Sequence, residues 1–387
     1  MARIAIISLM HGSAWGGSEY LWTAAAAQAL TEGHEVAISL CDWSVSHPLV
    51  TQLEQQGAKL FPRPRFPKPS LSSRIIRKLL QRLPAAQKIA SQSFYKSIFD
   101  FNPDVICINQ GNTYGAVGIP DLIQLLNTSS IPYSVVCHFN TDNFYWINGD
   151  CQKAAKSFFT KATCVAFVSN HNLKLAERQL TQSLSNAVVV QNPVNLGSRD
   201  IVPWFDQSTI SFANVARLDI ACKGQDVLLE ALSSPSWKER NWQCNLYGSG
   251  PDCTYLKSLA QYYGISDRIH FKGHVNDVQS IWRENHILVL PSRSEGTPLS
   301  VVEAMLCGRP AIVSDVGGNA EWITEAQTGF VADAPTAKLF NAALERAWQA
   351  QDQWKQMGIQ AHKCATEKFD KSPGKSLLTK ILDAARP

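Results

Sequence analysis

Short apolar runs alternate with helix-forming stretches through the whole of this chain. In the first half the runs are RIAIISL, HEVAISL, PDVICINQ, PYSVVCH, TCVAFVSN and NAVVVQN. In the second they are STISFANVARL, WQCNLYG, RIHFKG, HILVLPS, PAIVSD and GFVAD. Apolar runs of this length suit strands buried on both faces. Between them lie helical stretches such as SEYLWTAAAAQALTEG, whose alanines favour helix. The alternation predicts parallel sheets with helices on both faces. At 387 residues the chain is too long for one comfortable core. The expected fold class is therefore α/β, with two doubly wound Rossmann-like domains. The turn-rich segment Asn192 to Phe205 breaks the alternation, which places a first domain at residues 1–195 and a second at 196–370. Ligands of doubly wound sheets bind at the C-terminal edges of the strands, so the active site is expected in a deep cleft between the two domains.

Composition narrows the class of protein. The ten cysteines are scattered, with no C-x-x-C pair, and several sit in apolar runs such as DVICI and TCVAFV. Neither a disulfide framework nor a zinc site is suggested, and a reducing cytoplasm is expected. The opening ARIAIISL is too short for a signal segment, and no apolar run reaches the length of a membrane span. Charge is uneven: residues 1–199 carry a net +6 and residues 200–387 a net −2. Between Glu54 and Asp100 there is no acidic residue but ten basic ones. Within that window SLSSRIIRKLLQRL places Leu71, Ile75, Leu79 and Leu83 on one helical face, with Arg74, Arg77, Lys78 and Arg82 on the others. Such a helix suits an anionic membrane surface, the steering of an anionic acceptor, or packing on its own domain.

Function concentrates in PSRSEGTPLSVVEAMLCGRP, Pro291 to Pro310. Thr297 and Pro298 predict a helix start, with the hydroxyl as cap and the proline at the first helical position. The free N–H groups of Leu299 and Ser300 would then point out of the preceding strand's C-terminal edge, a seat for phosphate. Glu295 precedes the helix and Glu303 lies inside it, eight positions on. Carboxylates only accept hydrogen bonds, so two of them beside a phosphate seat suit a ligand carrying both hydroxyls and phosphate. On spacing alone, a capped helix with two surface glutamates reads equally well.

Four further clusters fall on predicted strand ends. Arg217 closes a strand and Lys223 starts a helix, so the two cations suit one diphosphate, although a basic pair in a loop is also ordinary surface. In LYGSGPD, Gly248 and Gly250 allow close backbone approach to a ligand and equally suit a tight strand-to-helix turn. HFKGHV follows, with Gly273 and His274. Gly16 and Gly17 lie between the first strand and first helix, and His138 closes PYSVVCH.

The string SEGTPLSVVEAMLCGRPAIVSDVGG resembles the E-x7-E region of the retaining GT-B glycosyltransferases of family 4. GGSEYLWTAAAAQALTEGHEV is similar to that family's opening loop and first helix. The resemblance covers nearly the whole chain, strongest from Asn214 to Gly318. It implies the GT-B fold, with residues 371–387 as a helix crossing back to the first domain. It implies a retaining, metal-independent transfer of a sugar from a nucleoside-diphosphate sugar to a hydroxyl of a glycan or lipid-linked acceptor. UDP-sugar is the favoured donor and GDP-mannose the next, with no further cofactor. By the resemblance the catalytic residues are Glu295, Arg217, Lys223 and His138. Arg217, Lys223 and the Leu299 and Ser300 amides would hold the diphosphate, and Glu303 the ribose. Glu295, with Gly296, Thr297 and Pro298, would hold the donor sugar. Gly248, Gly250, Gly273 and His274 would lie near the nucleotide, Gly16 and Gly17 near the donor phosphate or acceptor, and His138 against the donor sugar first and as catalyst second.

The chain departs from the family at Ala216, where glycine is frequent, and at Phe139–Asn140, where many relatives carry an acid. No acid/base role is assigned on that side. No D-x-D run is present to hold a metal, and nothing points to nucleic acid. The expected location is the cytoplasm, with the basic segment as a means of attachment to the inner membrane face. Two other readings are a sugar-nucleotide epimerase of the same fold and a non-catalytic sugar-nucleotide-binding protein.

Overall fold

A computed structural model describes residues 1–11, 14–43, 46–64, 94–142, 149–205 and 207–385. Arg74, Arg77, Lys78 and Arg82, with the rest of the expected basic helix, lie outside the described residues.

Each half of the chain forms one parallel sheet. The first runs in the order β3-β2-β1-β4-β5-β6-β7, from β1 (Arg3–Ser8), β2 (Glu35–Cys41), β3 (Lys59–Arg63), β4 (Val105–Asn112), β5 (Tyr133–Phe139), β6 (Cys164–Phe167) and β7 (Ala187–Val189). The second runs β10-β9-β8-β11-β12-β13, from β8 (Ile210–Val215), β9 (Trp242–Tyr247), β10 (Ile269–Gly273), β11 (Ile287–Leu290), β12 (Ala311–Ser314) and β13 (Gly329–Ala332). All twelve apolar runs are strands, and the two doubly wound domains expected from them are present.

The thirteenth strand, β3, was not legible. KLFPR has charged ends and a proline, which a sheet tolerates at its edge, and β3 is the edge. Arg63, one of the ten cations of the basic window, is buried rather than solvated. Its guanidinium donates to the Ser39 carbonyl and hydroxyl, at 3.2 and 3.1 Å, and to the Ser8 carbonyl.

Apolar layers cover both faces of both sheets. Trp22, Ala25 and Ala26 of the Glu19–Thr31 helix fill one face of the first sheet, and Ile98, Phe158 and Phe159 the other. In the second domain Trp237, Phe340 and Trp354 lie on one face, and Trp282, Val301 and Met305 on the other. The last helix, Pro373–Ala384, does not join the second domain. It buries Leu377, Leu378 and Ile381 in the same cluster as Trp22, against the Glu19–Thr31 helix. The chain thus passes between the domains twice, and Gln191 ties the two passages together. Its Nε2 donates to the Lys368 carbonyl at 3.0 Å, and its Oε1 accepts from the Asp370 N–H at 2.8 Å. Among the described residues no helix is long and apolar enough to cross a membrane.

Truncating Leu378 to alanine removes a fully buried side chain from that shared cluster, and such changes typically cost about 3 kcal/mol. Urea unfolding followed by tryptophan fluorescence is expected to show that loss. A change below about 1 kcal/mol would mean that the last helix does not complete the first domain's core.

Candidate functional site

Strand order reverses between β1 and β4 in the first sheet and between β8 and β11 in the second. At such a reversal the crossovers leave toward opposite faces and open a crevice at the strands' C-terminal ends. Gly16 and Gly17 follow β1 in chain order, Asn109 lies in β4, Arg217 follows β8, and the segment 291–297 follows β11. The two crevices meet. A Cβ placed on Gly17 would lie 3.8 Å from Leu299 Cδ1, and one placed on Gly296 would lie 2.0 Å from the His138 carbonyl oxygen. Only glycine fits at 296.

Thr297 is not the helix cap expected from the sequence. The helix is Leu299–Leu306, its cap position is Pro298, and no side chain caps it. The Thr297 hydroxyl donates instead to the Val168 carbonyl of the first domain. A local threonine–proline pattern cannot reveal an acceptor 129 residues away. The N–H groups of Leu299 and Ser300, on which the expected phosphate seat rests, still belong to a first turn, which has no acceptors inside its own helix.

Glu295 and Lys223 come together as an ion pair, Nζ to Oε1 at 2.7 Å, and the Ser292 hydroxyl donates to the same oxygen at 2.7 Å. Glu295 is buried, so an unpaired charge there would be costly, and the ammonium together with the hydroxyl offsets its desolvation. Arg217 is half exposed and pairs with Asp219. Each of the two cations carries its own carboxylate. Both pairs surround Cys222, whose thiol is pushed up by burial first and then by the Asp219 charge.

Gly248 and Gly250 serve the tight strand-to-helix turn. Cβ atoms there would lie 2.2 Å from the Ala216 and Leu218 carbonyl oxygens, so these glycines let the β9 turn close on the backbone of the Arg217 loop. Gly273 ends β10 in a left-handed conformation (φ 72°), and its carbonyl accepts from the Gly248 N–H at 2.7 Å. His274 is exposed beside it, with Nε2 3.1 Å from Asn276 Oδ1.

Glu303 is buried on the inner side of its helix. Burial pushes its carboxyl up to about 7, opposed by a backbone hydrogen bond from Asn195.

His138 turns into the first domain. Its Nε2 donates to Asn109 Oδ1 at 2.7 Å, and Asn109 Nδ2 in turn donates to Glu19 Oε1 at 3.2 Å. Nδ1 is buried and faces the Asn192 side chain without completing a hydrogen bond. Burial holds the ring's pKa down near 3, with Asn192 pulling weakly the other way. One ring nitrogen is engaged and the other is enclosed, so His138 is held as a neutral ring inside the first domain. The backbone carbonyl of His138, against Gly296, is what meets the second domain.

Three positions escaped the sequence reading. Glu19 is a buried carboxylate fed by Ser8 Oγ at 2.7 Å, Trp22 Nε1 at 2.9 Å and Asn109, with burial still raising its pKa. Asn109 is a polar residue near the end of an apolar strand, the same signal that singled out His138. Asn172 donates from Nδ2 to the Glu295 carbonyl at 3.0 Å, and nothing local marks it. A cavity of about 400 Å³ opens at the C-terminal ends of β1, β2 and β3, with Trp15, Trp43, His47, Glu19, Asp42 and Glu54 among its walls.

Residues 204–363 match the family model of glycosyl transferases group 1, a span that contains Arg217, Lys223, Glu295 and Glu303. An uncharacterised glycosyltransferase of Haemophilus influenzae is 29% identical over 223 residues, which is 57% of this chain and 60% of that relative. The chain thus matches well under two thirds of that protein's length. Among solved structures, Anabaena HepE in complex with UDP superposes with a TM-score of 0.71 at 16% identity, covering 99% of this chain and 100% of that one. Sucrose-phosphate synthase from Thermosynechococcus elongatus superposes with a TM-score of 0.73 at 19% identity over 100% of both chains. The fold is GT-B.

Glu303 generates a pH dependence. Its folded-state pKa, about 7, lies above the usual 4.5, so the folded protein holds this proton more tightly than the unfolded chain does. The stability it contributes is full at low pH and lost as pH rises through 7. Glu303→Gln removes that dependence. Between pH 5.5 and 8.5 wild type should lose about 2 kcal/mol relative to the variant in urea unfolding. Parallel profiles would mean that Glu303 titrates normally.

Proposed function

We propose that this chain is a retaining glycosyltransferase, moving a sugar from a nucleoside-diphosphate sugar to a hydroxyl of a glycan or lipid-linked acceptor without a divalent metal. The observation that carries the reading is the joint placement of Lys223, Glu295 and the open helix start at Leu299–Ser300 on the reversal point of the second sheet, facing Gly16–Gly17. That set offers positive charge and amides to a diphosphate, and a carboxylate to sugar hydroxyls. The group 1 match over residues 204–363 and the glycosyltransferase names of its relatives support it. The UDP complex of HepE supports a UDP-sugar as donor; GDP-mannose is the next candidate by the family resemblance alone.

In this reading the arriving diphosphate replaces carboxylates as the partner of Arg217 and Lys223. Asp219 and Glu295 are released, and Glu295 turns to the donor sugar's hydroxyls. Glu303 accepts from the ribose hydroxyls, which favours its ionised form. As the bond between the anomeric carbon and the phosphate oxygen breaks, the charge gathering on phosphate is met by Arg217, Lys223 and the Leu299 and Ser300 amides. The acceptor oxygen bonds to the anomeric carbon on the face the phosphate leaves, and its proton passes to the departing phosphate oxygen. No carboxylate is assigned as nucleophile, so configuration is retained by attack on one face. The cavity beside β1 and β2 lies on the acceptor side, and its aromatic and carboxylate walls suit a hydroxyl-rich ring.

Thermal unfolding with UDP, GDP, ADP and CDP, each with and without EDTA, tests the site. One diphosphate, at about a hundred times its dissociation constant, should stabilise the protein by about 2.7 kcal/mol whether or not EDTA is present. No shift from any of the four would sink the reading. Glu295→Gln should then lower turnover by about a hundredfold, while the affinity for that diphosphate holds or rises, because Lys223 loses a competing carboxylate. Equal loss of both would make Glu295 a structural residue.

A further inference from the structure

The backbone of Glu295, Gly296 and Thr297 is held mainly by atoms from outside its own strand. Asn172, in the first turn of the Asn170–Leu180 helix of the first domain, donates from Nδ2 to the Glu295 carbonyl at 3.0 Å. Asn172 is 1% exposed, and its Oδ1 is buried with no hydrogen bond, so the side chain is committed to this single contact. Gly296 passes the His138 carbonyl too closely for any side chain, and Thr297 donates to the Val168 carbonyl. From the second domain, Gly318 N–H donates to the Gly296 carbonyl at 2.7 Å. The side chain of Glu295 answers to its own domain, through Lys223 and Ser292. The main chain of this one residue is therefore held between Asn172 of the opposite domain and Gly317 of its own, while its side chain is held by its own domain alone.

The helix that carries Asn172 is itself tied across the boundary. Glu321, from the second domain, accepts from the His171 N–H at 2.7 Å and from Asn170 Nδ2 at 3.2 Å. A carboxylate at a helix N-terminus satisfies free N–H groups and complements the positive end of the helix dipole.

We propose that Asn172 is a positioning residue for transfer: it fixes the main chain under Glu295 from the opposite domain, so the sugar-binding carboxylate is correctly placed only when the domains are closed. This rests on the role given to Glu295 above. The diphosphate seat, by contrast, lies wholly on the second domain, in Arg217, Lys223, Leu299 and Ser300. Loss of Asn172 should therefore separate catalysis from nucleotide binding, since small misplacements of a reacting group are costly in rate.

The test uses the full chain with Asn172→Asp and Asn172→Ala. A carboxylate at 172 has nothing to donate and faces a carbonyl oxygen; alanine simply leaves it unpaired. Both variants should keep the wild-type affinity for UDP or GDP within about twofold, and should lose at least about tenfold in release of the diphosphate from its sugar. Amide hydrogen exchange, without ligand, should quicken in peptides covering residues 293–298 and stay unchanged in residues 287–290. Unchanged exchange in that segment, or equal loss of affinity and turnover, would overturn the positioning role. Should one variant fail to fold, the other decides, and Gly296→Ala must give the same exchange pattern by wedging the domains at His138. If wild type binds none of UDP, GDP, ADP and CDP the glycosyltransferase reading fails, and the exchange measurement still judges Asn172 by itself.

Discussion

A parallel strand delivers its chain to one end only, and the candidate site depends on that constraint. Arg217 and Glu295 follow the C-terminal ends of β8 and β11, the two strands between which the second sheet reverses. Asn109 lies in β4 and Gly16–Gly17 follow β1, at the reversal of the first sheet. Because both sheets point these ends at each other, residues far apart in sequence are brought within hydrogen-bond reach, as with Asn172 and Glu295. The helices and apolar layers exist to hold the two edges rigid enough for that meeting.

The cations of the candidate site are paired within the protein. Lys223 holds Glu295 and Arg217 holds Asp219, so little charge is left unbalanced around Cys222. A buried carboxylate without its cation would be costly. In the proposed reading the same arrangement makes the site responsive, because a diphosphate would compete for both cations and free both carboxylates.

The fold was legible because period and length speak locally: an apolar run of six residues reads as a strand whatever surrounds it. β3 was not, because an edge strand has only to satisfy one neighbour and can carry Pro62 and charged ends. At the site, sequence located the loops well and the side-chain partners badly. Thr297 looked like a cap because its true acceptor, Val168, lies in the other domain. The partners of His138 could not be read, because nothing in PYSVVCH announces Asn109 and Asn192 on either side of the ring. Gly248 and Gly250 did mark a close approach, but to the protein's own backbone. Each error has one cause: the partner was long-range, and a linear pattern carries no information about it.

The last helix imposes an order in time. The Glu19–Thr31 helix is made early, yet the apolar side it shares with Leu377, Leu378 and Ile381 stays uncovered until residues 373–384 leave the ribosome. At typical synthesis rates that interval is on the order of tens of seconds. During it the second domain can complete its own core, while the first waits with a greasy stripe showing. A nascent chain of this architecture therefore finishes its beginning last, and its early half is the natural client for whatever shields exposed apolar surface during synthesis.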